Sequence, residues 1–376
     1  MIPYGRQDIS AGDIEAVAKV MRSDYLTTGP EVESFESELT KWTGGTSTVA
    51  VSSGTAALHA AYYAAGITAG DEIITPPITF IATQSTAALL GAKIIFADVQ
   101  KDTGNIDPIE VRKKISPRTK AVVAVDYAGH PADLDELRVI CDEFGLILIE
   151  DAAHSLGSIY KGKHVGSIAD ITTFSFFPTK NITTGEGGAV TSIHQEMLDR
   201  ARYFSRQGLV REKEKQISKD EGPWHQEVHN FGLNYRLPDI LAALGTSQLQ
   251  RLNSFKSRRK EVFDYYINEL GNTKGVTLPT CRNYVDPMWH LFPISVDPLK
   301  RKAIFEELRS KGIGVQVNYM PAHWHPVFKG SPAKGSLPVS ENFYKSEISL
   351  PMSAALNKDE LTKIVSVVKD ALHETN

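Results

Sequence analysis

Between residues 46 and 192 the chain alternates short β-branched, apolar runs with helical stretches, and this alternation limits the fold more than any other feature. The runs are residues 47–51, 72–76, 93–99, 120–126, 146–151, 171–176 and 188–192. None keeps a clean period of two, the mark of strands covered on both faces. Between them, residues 53–66 read as a helix that Ser52 or Ser53 can cap. Asp107-Pro108 reads as an N-cap followed by proline at the first helical position. Residues 133–144 read as a helix closed by Gly145 in the left-handed conformation. Strands alternating with helices predict an α/β fold with a mainly parallel, doubly wound central sheet. Such sheets gather ligands beyond the carboxyl ends of their strands, so the chemistry is sought there.

Beyond about residue 250 the texture changes. A long charged helix (246–270), a strand-like run (290–296), a helix (298–311), a second strand-like run (314–319) and a last helix (358–373) predict a smaller α+β unit. The expected division is a large domain, 1–250, that includes the N-terminal segment, and a small C-terminal domain, 251–376. Residues 205–230 are polar and read as a long surface loop. A chain of 376 residues, 41% hydrophobic, can bury a core without covalent staples. Its two cysteines, Cys141 and Cys281, stand too far apart in sequence for a CxxC pair or a disulfide framework. Cys141 lies in an apolar helical pattern and reads as buried filler.

Several function classes fall away. A net charge of −4 sets nucleic acid aside as a main partner. No stretch approaches ~18 uninterrupted apolar residues, and the opening MIPYGRQD lacks the apolar segment of a secretion signal. The expectation is a cytoplasmic protein with no membrane partner. No GxGxxG follows a strand and no GxxxxGK[ST] occurs, which discounts a dinucleotide-binding dehydrogenase and a P-loop enzyme. His225 and His229 have helical zinc spacing, but Gln226 stands where the zinc-protease pattern needs glutamate, and His323 and His325 lack an evident third ligand. No metal site is expected.

Four segments carry chemistry when taken together. In FSFFPTKNITTGEGGAV (174–190), Lys180 follows a strand end in a turn of small residues. A desolvated lysine there would be neutral and nucleophilic, fit to form a Schiff base; alone, an exposed loop lysine is the commoner case. In LILIEDAAHSLGS (146–158), Asp151 ends an apolar strand. A carboxylate at that edge can hold a proton on a cofactor's ring nitrogen, or simply cap the next turn. His154, three residues on, can meet the same ring or be structural. In VAVSSGTAALHAA (49–61), a strand runs into a helix whose N-terminus suits a phosphate; Gly54 permits close approach, Thr55 adds a hydroxyl, and Ser175 can add another. In PPITFIAT (76–83), Phe80 can stack on a flat ring, or be core.

In this order, Gly-Thr turn, aromatic loop, Glu-Asp strand end and lysine turn, the segments resemble the sugar aminotransferases of the DegT/DnrJ/EryC1/StrS family. The resemblance runs from IPYGRQ and LTTGP (26–30) to EISLPM (347–352). It implies the fold-type I, aspartate aminotransferase-like architecture, pyridoxal 5′-phosphate (PLP) as cofactor, and a homodimer with active sites at the subunit interface. It assigns Lys180 as the Schiff-base lysine, Asp151 as the partner of the pyridine nitrogen, His154 near O3′, and Phe80 as the ring-stacking aromatic. Gly54, Thr55 and Ser175 match the phosphate cradle. Residues 231–249 resemble the family's Asn-Tyr-Arg segment, in which Asn234 would reach across to the neighbour's phosphate; read without the resemblance, this is a helix entrance with Pro238 at its first position.

Residues 126–134, 180–188 and 314–321 are similar to the pseudaminic acid branch. That similarity implies UDP-2-acetamido-2,6-dideoxy-β-L-arabino-hexos-4-ulose as substrate, aminated at C4 from L-glutamate. Asn318 departs from the branch, which commonly has histidine there. Some family members replace the lysine by histidine and become dehydratases; Lys180 here favours transamination. Arg236 is a candidate for the nucleotide diphosphate, and Tyr319 and His290 for the sugar, with core packing as the alternative for the last two. The rival readings are an aminotransferase of another UDP- or dTDP-linked keto sugar and a non-catalytic regulator on the same fold.

Overall fold

The computed structural model describes residues 1–374. Seven strands form the central sheet: β1 (Thr48–Val51), β2 (Glu72–Thr75), β3 (Lys93–Phe96), β4 (Thr119–Val125), β5 (Ile147–Asp151), β6 (Ile171–Ser175) and β7 (Gly188–Ser192). Their order is β1-β7-β6-β5-β4-β2-β3. Only β7 runs against the rest. The near-continuous apolar runs have a direct cause. Ile73, Val123 and Ile149 enter one buried cluster, while their neighbours Ile74, Val122 and Leu148 enter another on the opposite face. Both sides of each strand are therefore covered.

The helix boundaries follow local chemistry. Ser53 caps α1 (Gly54–Ala64), its Oγ accepting from the Ala56 amide at 3.0 Å. The Asp107 carboxylate accepts from the Ile109 amide at 2.8 Å, with Pro108 in the first turn. Gly145, at φ 65°, ends the helix Leu134–Phe144. Cys141 on that helix is buried, and burial pushes its thiol up to about 12.

A second, antiparallel sheet holds β8 (Val276–Thr277), β9 (Phe292–Val296) and β10 (Glu347–Leu350), in that order. Its cluster packs Phe292, Ile294, Ile348 and Leu350 against Val262, Phe263 and Tyr266 and against Ile364 and Val368. Ile2 belongs to this cluster. The Ile2 amide donates to the Gly312 carbonyl, and the Gly314 amide to the Ile2 carbonyl, both at 2.8 Å. The first residues of the chain are thus carried to the second sheet.

Four expected features differ. The charged helix of 246–270 is two helices, α2 (Asp239–Gln250) and α3 (Leu252–Leu270). The chain turns at Arg251, where its guanidinium is held by Asp8 and Asp13; the apolar stripe passes from one cluster to the other further on, between Phe255 and Val262. Pro238 is the cap residue rather than the first helical one, and the Asp239 carboxylate accepts from the amides of Gly29 and Glu31, at the head of the helix Pro30–Trp42. Residues 314–319 form no strand. Gln316 pairs with Ser349, but the next inward-facing amide, Asn318, turns to the Glu347 side chain at 2.8 Å. The 205–230 loop contains a two-residue pairing of 209–210 with 227–228, in which His225 and His229 both face Glu227. Among the described residues no helix is long and apolar enough to cross a membrane.

Candidate active site

The carboxyl ends of β5 and β6 lie side by side, that of β1 stands at the same edge across β7, and β2 reaches it through the loop that carries Phe80. A cleft of about 580 Å³ opens there. Gly54, Thr55, Phe80, Asp151, His154, Ser175, Lys180, His290 and Tyr319 all line it. Segments scattered along the sequence therefore meet because parallel strands end together.

Asp151 is buried at the floor. The Thr83 hydroxyl donates to its Oδ2 at 2.7 Å, and the Ala153 amide to its Oδ1 at 3.2 Å. Burial pushes the carboxyl above its ordinary range, opposed by those two hydrogen bonds and by the charge of Lys180. The Lys180 turn follows β6, with the Lys180 amide donating to the Phe177 carbonyl at 2.8 Å. Enclosure in the cleft lowers its ammonium to about 8, against the pull of Asp151. A neutral, nucleophilic amine is thereby within reach near neutrality.

His154 and His290 are buried, with ring centres 4.3 Å apart. Burial holds both well below the ordinary imidazole range, with Lys180 adding to the effect. Nε2 of His154 stands 3.3 Å from the Tyr319 hydroxyl, and its buried Nδ1 has no hydrogen-bond partner. Phe80 stands at the mouth, 59% exposed, with its ring centre 6.3 Å from that of Tyr319.

The head of α1 lines the same cleft, and its first amides lack acceptors within the helix. A Cβ on Gly54 would fall 2.7 Å from Cβ of Ser175 and 2.9 Å from its Oγ. Only glycine lets these two loops approach so closely. Helix dipole, Thr55 and Ser175 together suit a phosphate group. The donor set fits a flat, phosphorylated, basic ring: a phosphate cradle, an aromatic at the mouth, a buried carboxyl, a buried imidazole nitrogen in want of a partner, and an amine.

Two candidates lie elsewhere. Asn234 is exposed, and neither it nor Arg236 lines the cleft of its own chain. Arg236 pairs through its backbone with Val51, at the end of β1, and its guanidinium folds onto the Gln207 side chain at 2.5 Å. The sequence reading missed Thr83, Tyr4, Glu186 and the cleft position of Asn318. Thr83 had a usable signal, since it follows Phe80 by three residues where α-helical geometry begins (Ala82–Leu89). Tyr4 had none, because its place depends on the distant pairing of Ile2 with Ile313.

A family model described as the DegT/DnrJ/EryC1/StrS aminotransferase family matches residues 7–369. The spore coat polysaccharide biosynthesis protein SpsC of Bacillus subtilis is 36% identical, over 98% of this chain and 96% of that protein. The UDP-4-amino-4,6-dideoxy-N-acetyl-beta-L-altrosamine transaminase of Campylobacter jejuni is 35% identical, over 98% of this chain and 99% of its own. Among solved structures, the putative sugar aminotransferase Spr1654 of Streptococcus pneumoniae, in its PMP form, superposes with TM-score 0.93 at 29% identity, covering 100% of both chains. Helicobacter pylori PseC, an aminotransferase involved in the biosynthesis of pseudoaminic acid, superposes with TM-score 0.92 at 31% identity, covering 99% of both.

Proposed function

The chain belongs to the DegT/DnrJ/EryC1/StrS aminotransferase family of PLP-dependent sugar aminotransferases, and from that premise we propose that it transfers the amino group of L-glutamate to the C4 ketone of UDP-2-acetamido-2,6-dideoxy-β-L-arabino-hexos-4-ulose in pseudaminic acid biosynthesis. The observation that carries the reading is the meeting of the Lys180 amine and the Asp151 carboxyl at one enclosed sheet edge. The substrate rests on the likeness to the Campylobacter transaminase and to PseC.

PLP, when bound, supplies a carbonyl for amine exchange and a ring that accepts an electron pair. Gly54, Thr55, Ser175 and the head of α1 would hold its phosphate, Phe80 its face, and His154 its polar edge. Asp151 keeps a proton on the ring nitrogen; the charge-assisted hydrogen bond is worth on the order of 1.5–3 kcal/mol. Lys180, lowered to about 8, is the Schiff-base residue and the proton carrier: as a free amine it takes a proton from the amino donor's Cα, and as an ammonium it returns one. Tyr319 and His290 face the sugar. Lys180 lines the same cleft as Asp151, so the proton it carries would move within the site.

The working unit in this reading is a cytoplasmic homodimer. Phe231, 94% exposed, and Leu233, 41% exposed, precede Asn234, and such apolar exposure on a long loop fits an interface. Across it Asn234 would reach the phosphate site of a second copy, and Arg236 a nucleotide diphosphate. The division into domains 1–250 and 251–376 belongs to the same proposal, supported by the separate hydrophobic clusters on the two sheets. A second reading, amination of another nucleotide-linked keto sugar, is favoured by Asn318 in the cleft wall and by the likeness to SpsC.

The test is amination of a synthesised panel of UDP- and dTDP-linked 3- and 4-keto sugars with L-glutamate, followed by NMR of the products. The proposal expects a 4-amino product from the UDP-linked hexos-4-ulose in preference to the others. A preference for a dTDP-linked sugar, or an amine at C3, would replace it by the second reading.

A further inference from the structure

One corner of the cleft is built from a chain of hydrogen bonds. Glu347, at the start of β10, is fully buried, and its Oε2 accepts from the Asn318 amide at 2.8 Å. Its Oε1 is hydrogen-bonded to the Ser349 hydroxyl. The Asn318 side-chain amide donates to Ser349 Oγ at 3.1 Å and also to the Tyr4 hydroxyl. The Asn318 carbonyl accepts from the Tyr127 hydroxyl at 2.6 Å. Asn318 is thus gripped by the N-terminal segment, the central sheet's edge and the second sheet at once.

An amide nitrogen can only donate. The Tyr4 oxygen is therefore an acceptor toward Asn318, and its own proton must go elsewhere. Ser349 is the competitor within the protein: it accepts from Asn318 and bonds to Glu347, which leaves one lone pair that can also accept from Tyr4. The cleft, which both Tyr4 and Asn318 line, is the direction in which that proton meets a bound ligand. Burial keeps the phenol protonated. Lys180 is the one lysine or arginine among the cleft-lining residues, so this corner offers no cation to a carboxylate. A neutral oxygen is the acceptor that fits.

We propose that Tyr4 is a specificity-determining contact that donates a hydrogen bond to a neutral oxygen of the sugar, and that Glu347 is a positioning residue that aims it through Ser349 and Asn318. The inference rests on the proposed sugar amination and adds the residue that orients the acceptor.

The holoenzyme is assayed with L-glutamate and the UDP-linked hexos-4-ulose. Tyr4→Phe should lower kcat/KM for the sugar by about tenfold to a hundredfold, the cost of one lost hydrogen bond at a partly enclosed site, with the loss mainly in KM. The KM for glutamate and reducible capture of PLP on Lys180 should not move. Glu347→Leu should give a similar loss, and Glu347→Gln, which keeps an acceptor for the Asn318 amide, should restore most of it. Where Glu347→Leu does not fold, Ser349→Ala breaks the same chain. Tyr4→Phe combined with either break should be no worse than Tyr4→Phe alone. Unchanged sugar kinetics in Tyr4→Phe, a rise in the glutamate KM instead, or additive losses would overturn the inference. A wild-type enzyme that leaves every nucleotide keto sugar untouched would overturn the reading beneath it, a result seen before any variant is made.

Discussion

Two buried carboxyls, Asp151 at the end of β5 and Glu347 at the start of β10, share an electrostatic predicament but face different neighbours. Burial raises both above the ordinary carboxyl range, Glu347 to about 8. Asp151 has one side-chain hydroxyl, one backbone amide and the charge of Lys180 around it, and it opens onto the cleft. Glu347 spends both oxygens on Ser349 and the Asn318 amide and lies outside the cleft. Desolvation alone therefore does not make a catalytic acid; what the group is left free to touch does. On this view the floor of the cleft performs the chemistry, and the strap held by Glu347 orients what enters.

The contrast can be broken from either side. The largest effect is expected for Lys180→Ala, which in the proposed reading removes proton carrier and nucleophile together; turnover should fall by about 10⁴-fold or more, while the far-ultraviolet spectrum is unchanged. Steady-state amination rates check it. Asp151→Asn should keep the cofactor but lose at least two tenfold steps of rate, ~2.7 kcal/mol of barrier; unchanged turnover would strip Asp151 of its place on the floor. Phe80→Ala removes the aromatic at the mouth and should weaken PLP retention by roughly two- to tenfold, in line with ~0.5–1.5 kcal/mol for ring stacking, as read by equilibrium dialysis.

The smallest effect concerns the strap and is a pH slope. Glu347 binds its proton more tightly folded, at about 8, than at the ordinary 4.5. Its contribution to stability is then fully present below 4.5 and is lost as pH rises through about 8. Glu347→Gln should flatten the fall in denaturant midpoint across that window. An unaltered slope would mean that Glu347 is not the buried acid described here.

The sequence disclosed the floor better than the strap, for a physical reason. Asp151, Ser175 and Lys180 sit where apolar strands end, and parallel strands in one sheet must end along one edge. Gly54 announced itself by a strand-turn-helix pattern, and the structure supplies the reason, since a Cβ would strike Ser175. The strap had no such marker. Residues 314–319 read as a strand because Val315 and Val317 alternate with polar neighbours, yet only Gln316 pairs with Ser349 and the Asn318 amide goes to a side chain rather than a ladder. Tyr4 and Glu347 lie near opposite ends of the chain, and nothing local indicates that Ile2 carries one toward the other. The break at Arg251 was hidden likewise, because its cause is a pair of acids, Asp8 and Asp13, near the N-terminus.

The central claim is that the amine at position 180 is the one that captures the cofactor. Loading the protein with PLP, reducing with borohydride and mapping the peptides by mass tests it without any substrate. The account predicts a pyridoxyl adduct on Lys180 and none in Lys180→Ala. An adduct on a different lysine, or none in the wild-type chain, would contradict it.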